Sequence, residues 1–91
     1  MKYTVYTNYK DKDYKADFTL RSDANLTTVA RKCAEAIYNQ MIPLNPEIRG
    51  CRWSFEKPNV WTNGGFMSLW MTTPADGVFD LHVDRDGIAF I

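Results

Sequence analysis

Leu26, Val29, Ala30, Cys33, Ile37 and Met41 recur at steps of three and four residues, so they share one stripe of an amphipathic helix spanning roughly 26–41. Arg31, Lys32 and Glu35 fall off that stripe. The segment from Ser22 carries helix-start signals, with Asn25 the best N-cap, and Pro43 and Pro46 end the helix because proline cannot continue its hydrogen-bond ladder. Most of the remaining apolar residues alternate with polar ones. One helical stripe laid against one face of a sheet is the simplest way to bury both.

The strands follow from that alternation. Residues 2–8 form a tyrosine-, threonine- and valine-rich strand, and the polar run from Asn8 to Asp13 is a turn. Residues 14–20 alternate cleanly, with Tyr14, Ala16, Phe18 and Leu20 on one face and Lys15, Asp17 and Thr19 on the other, which predicts a hairpin. After Gly50 the period is again two, with Cys51, Trp53 and Phe55 on one face and Arg52, Ser54 and Glu56 on the other. A loop runs from Lys57 to Gly64. Residues 66–72 form a strand apolar on both faces, with Phe66 and Trp70 on one and Met67, Leu69 and Met71 on the other. Thr73–Gly77 is a turn, and residues 78–83 a strand with Phe79, Leu81 and Val83 inward. Asp84–Gly87 is a hairpin turn before a short last strand at 88–91. The order is ββαββββ: a single α+β domain over 1–91 with a mostly antiparallel sheet. The opening hairpin followed by a helix resembles a β-grasp arrangement, as in ubiquitin-like folds. The chain ends in Phe90-Ile91 rather than in a diglycine tail, so nothing points to a conjugated modifier.

Composition bounds the function. With 91 residues, folding buries roughly 64% of the unfolded surface, enough for one modest core. Eleven basic side chains balance eleven acidic ones, which argues against an electrostatic nucleic-acid binder and equally against an acidic mimic of nucleic acid. The balance is +2 over residues 1–45 (seven basic, five acidic) and −2 over 46–91 (four basic, six acidic), too small a split to imply a partner. No apolar run approaches the roughly 20 residues of a membrane span. Met1-Lys2-Tyr3-Thr4-Val5 lacks the apolar stretch of a signal peptide, and the two cysteines, Cys33 and Cys51, lack zinc-site spacing; the expectation is a cytoplasmic protein with free, core-facing thiols. Asn25-Leu26-Thr27 fits the glycosylation pattern, which has no use without secretion.

The chemistry-bearing residues are few. His82 is the single histidine, and the chain has no nucleophile elbow, phosphate-cradling glycine loop or dinucleotide fingerprint. No catalytic residue and no cofactor are assigned. Asp80, His82 and Asp84 alternate and so share a strand face, which makes them weak metal-ligand candidates against the plainer reading of a solvated face. Tyr6, Tyr9, Lys10, Lys12, Lys15 and Arg21 gather around the first hairpin, but Asp11, Asp13 and Asp17 cancel much of their field.

Trp61 is the most informative aromatic. It sits inside the polar run Pro58-Asn59-Val60-Trp61-Thr62-Asn63-Gly64-Gly65, where a large ring either folds back onto the core or projects as an anchor. The strand after it is apolar on both faces, so its second face needs a cover: the loop itself, a second copy of the chain, or another protein. The expectation is a small non-enzymatic binding protein that docks a macromolecular partner, a protein before a nucleic acid or a membrane, through Asn59, Trp61, Asn63, Arg52 and Trp70. That description fits small inhibitors encoded by phages or mobile elements. The alternative is an oligomeric binder of a nucleotide-type ligand, with rings sandwiching a base and Arg49, Arg52 or Arg85 meeting phosphate.

Overall fold

The computed structural model describes residues 1–56, 68–85 and 88–89. Its elements are β1 (Lys2–Tyr9), β2 (Lys12–Thr19), α1 (Leu26–Met41), a 3₁₀ turn (Pro46–Ile48), β3 (Arg52–Glu56), β4 (Ser68–Thr72), β5 (Val78–Arg85) and β6 (Ile88–Ala89). The expected α+β order is present, and every strand pair is antiparallel. The sheet runs β2-β1-β5-β4-β3, with β6 on the β5 edge beyond β4.

The first hairpin is tighter than the predicted turn of 8–13. Tyr9 pairs with Lys12, leaving only Lys10 and Asp11 between the strands. Both have positive φ, 52° and 62°, as the primed two-residue hairpin turns require. Lysine is an uncommon residue there, so no turn dipeptide announces the loop. Alternation then sorts the side chains. Tyr3, Val5 and Thr7 on β1 and Tyr14 and Ala16 on β2 are buried, while Lys15 and Asp17 are exposed. Tyr3 stacks on Phe18 with ring centres 5.3 Å apart.

The helix begins and ends where the sequence predicts. The Asn25 side chain accepts a hydrogen bond from the Thr28 amide at 2.8 Å, a regular N-cap. Val29, Ala30, Cys33, Ala34, Ile37 and Met41 are buried, and they lie against β1 and β2 more than against β3 and β4. Arg31 and Glu35 form an exposed pair one turn apart. Beyond Met41 the chain does not simply leave the helix. Asn45 is buried and its side-chain amide donates to the Tyr14 hydroxyl at 2.8 Å and to the Met41 carbonyl at 3.0 Å. Ile48, in the 3₁₀ turn that Pro46 opens, is fully buried.

β5 runs past its expected end at residue 83. Asp84 and Arg85 belong to β5, not to a turn, because they pair with Thr4 and Tyr3 on one side and with Ala89 and Ile88 on the other. The first residue of the strand predicted at 66–72 to be described is Ser68. β5 is the spine of the sheet. Its second half, His82–Arg85, pairs with β1, whereas its first half, Val78–Leu81, pairs with β4. Thr7 reaches across the departure point, donating its hydroxyl to the Asp80 carbonyl at 2.7 Å. This stagger contributes to the elongated outline of 35 × 21 × 21 Å. Gly50, with φ +85°, redirects the chain into β3 in a conformation that L side chains rarely adopt.

Candidate functional site

The strand faces opposite α1 form one continuous surface. Thr4, Tyr6 and Asn8 on β1, Lys15 and Asp17 on β2, Asp80, His82 and Asp84 on β5, Trp70 and Thr72 on β4, and Arg52 and Ser54 on β3 all point that way by strand alternation. No described helix or strand covers this surface.

Two cross-strand rows organise its centre. The first runs Lys15–Tyr6–His82. The Lys15 ammonium lies 5.8 Å from the Tyr6 ring centre, and the Tyr6 and His82 rings are 5.9 Å apart. His82 Nε2 is 2.9 Å from the Asp84 carboxylate, which is mostly buried. Partial desolvation first, then the Asp84 carboxylate through charge and a hydrogen bond, raises the Tyr6 phenol above its ordinary value. The second row runs Ser54–Trp70–Asp80. Trp70 is half-buried, and Val78, on the same face, is 62% exposed. The carboxylate of Asp80 and the guanidinium of Arg52 have no hydrogen-bond or ion-pair partner among the described residues.

The face therefore joins two sequence-predicted site residues, Arg52 and Trp70, on neighbouring strands. Asn59, Trp61 and Asn63 lie outside the described residues, as does Phe66. Among the described residues, the second apolar face of β4 consists of Trp70 alone. Asp80, His82 and Asp84 do share a face, as their alternation predicts, but no three of the described histidine, cysteine, aspartate or glutamate side chains are grouped to hold a metal ion.

The aromatic–lysine interleaving of the first hairpin is internal. Lys10 lies over Tyr9 and Lys12 over Tyr14, each 5.5 Å from the ring centre, and Lys10 also pairs with Glu47 at 3.2 Å, which raises its pKa. Those cations are already engaged with their own sheet.

Two concavities flank β3. The helix-side cleft, of about 320 Å³, lies between Ala34, Tyr38, Cys51, Trp53 and Met71, with Arg31 and Glu35 at its rim. It exists because α1 lies chiefly over β1 and β2, leaving Trp53 and Phe55 stacked on each other but half-buried. The second, of about 530 Å³, is polar and opens beside the β4–β5 turn. Sequence reasoning found neither, because each is made by residues whose juxtaposition depends on strand order. Cys33 is fully buried, and burial pushes its thiol up to about 12; Cys51 is only partly buried and its thiol is raised less by the same cause. Both thiols are free.

No helix among the described residues is long and apolar enough to cross a membrane. Compared with protein-family models, with curated proteins and with solved structures, the chain shows no significant match to any of the three.

Proposed function

We propose that this chain is a small non-enzymatic binding protein that docks another protein on the sheet face opposite α1. The observation that carries this reading is the second row and its neighbour Val78: Trp70 and Val78 offer apolar surface that no described helix or strand covers, between the charges of Asp80 and Arg52, which have no partner among the described residues. A half-exposed aromatic ring with polar groups at its rim suits a binding hot spot. The complementary partner presents an apolar side chain to Trp70, a cation to Asp80 and a carboxylate to Arg52. Inhibition of that partner, in the manner of small phage- or mobile-element-encoded inhibitors, follows wherever its own working surface is the one covered. Free thiols suit a cytoplasmic setting.

The test compares wild type with Trp70→Ala and Arg52→Ala in pull-downs, followed by titration of the purified captured protein. The expected result is a loss of about tenfold or more in affinity for Trp70→Ala, with circular dichroism unchanged. A partner held equally by both variants refutes the reading. Sedimentation of the isolated chain as a dimer that Trp70→Ala dissociates would instead assign the face to a second copy.

A further inference from the structure

We propose that the polar groove beside the β4–β5 turn binds a small molecule carrying a phosphate group next to a flat ring, a nucleoside monophosphate being the simplest. Arg52 and Thr72 are directly paired across β3 and β4 and share the groove wall with Ser54. The Arg52 guanidinium offers five N–H donors in a planar fork and has no partner among the described residues to compete for them. Ser54 and Thr72 add hydroxyl donors. The Thr73 hydroxyl oxygen accepts from the Gly77 amide at 2.9 Å, which leaves its own proton free to donate. This is a donor-rich set suited to phosphate oxygens.

Trp70, just outside the groove lining, supplies the second element of recognition. It is directly opposite Ser54 on the same face, and so diagonal to Arg52 at about 7–8 Å between backbone positions. A ring stacked there lies beside a phosphate held by Arg52. Asp76, the one carboxylate on the groove lining, tells against a bare polyanion. It favours a ligand that brings hydroxyl donors, as a sugar does, beside its phosphate. This site shares Arg52 and Trp70 with the docking face, so a bound nucleotide would compete with a protein partner there; its test uses no protein partner.

The experiment titrates the full chain separately with adenosine 5′-monophosphate, inorganic phosphate and adenosine, following amide signals by two-dimensional NMR and the melting temperature. Saturable shifts confined to residues 52–54, 70 and 72–77 are expected with the nucleotide, with inorganic phosphate and adenosine each weaker by about tenfold or more. Arg52→Ala is expected to abolish nucleotide binding, and Arg52→Lys, which keeps the charge but loses the fork, to weaken it. Asp76→Asn is expected to strengthen inorganic phosphate relative to the nucleotide. Absence of saturation at millimolar nucleotide overturns the proposal. So do shifts elsewhere in the wild-type map, which needs no variant to fold, or inorganic phosphate binding as tightly as the nucleotide.

Discussion

Asn45 shows how much one polar side chain can hold. It satisfies the end of α1 through the Met41 carbonyl and ties that end to β2 through the Tyr14 hydroxyl. Removing a buried donor leaves its partners unsatisfied at about 1–3 kcal/mol. Asn45→Ala is therefore expected to lower stability by that amount in urea denaturation, and Asn45→Asp by at least as much, since a buried carboxylate cannot donate to the Met41 carbonyl and is repelled by it. Cys33 gives a pH dependence. Its thiol titrates near 9 when exposed and at about 12 in the fold, so the folded state binds the proton more tightly. The stabilisation is complete below about pH 9 and is lost as pH rises toward 12, with a limiting slope of about 1.4 kcal/mol per pH unit. Urea melts between neutral and alkaline pH are expected to show this fall in wild type and a shallower one in Cys33→Ala. Rapid alkylation of native Cys33 at neutral pH would contradict the burial that causes the shift.

At the level of elements, α1 sits close on the first hairpin because small residues line its contact. Val29, Ala30 and Cys33 are completely buried, and Ala34 nearly so. Ala30→Leu adds volume with no space to receive it, and such overpacking costs about 1–3 kcal/mol. A thermal midpoint equal to wild type would show that the helix can lift off the sheet freely. The helix was legible in the sequence because its signals are local: the stripe, the Asn25 cap and the prolines act within a turn or two. The β1–β2 turn was only partly legible, since Lys10 and Asp11 carry no glycine or asparagine to mark the positive φ they adopt. The 3₁₀ turn at Pro46–Ile48 was not, because Ile48 finds its place in a core assembled from distant strands.

Over the whole molecule, β5 couples two half-sheets that overlap little. The Thr7 hydroxyl on the Asp80 carbonyl joins β1 to the half of β5 that otherwise pairs only with β4. Thr7→Val keeps the shape and deletes this bond, leaving a carbonyl short of a partner where the ladders part. A loss of about 1–2 kcal/mol is expected, together with faster amide exchange in β4 than in β1. Equal protection of the two halves would argue that the sheet behaves as one unit without Thr7. The same stagger, with α1 over β1 and β2, opens the cleft at Trp53, and no described helix or strand lies on the opposite face.

The sequence by itself determined which residues of β2, α1, β3 and β5 face inward, where the helix begins and ends, and that one helix must meet one sheet face. Periodicity, caps and prolines act over a few residues, so they can be read without the rest of the chain. It also placed Asp80, His82 and Asp84 on a common face, for the same reason. Only the tertiary structure decided that β5 lies between β1 and β4, that Arg52 stands opposite Thr72, and that Trp70 lies between Ser54 and Asp80. Strand order and register are set by side-chain packing between segments far apart in the chain. No local pattern encodes which strand a given edge will meet.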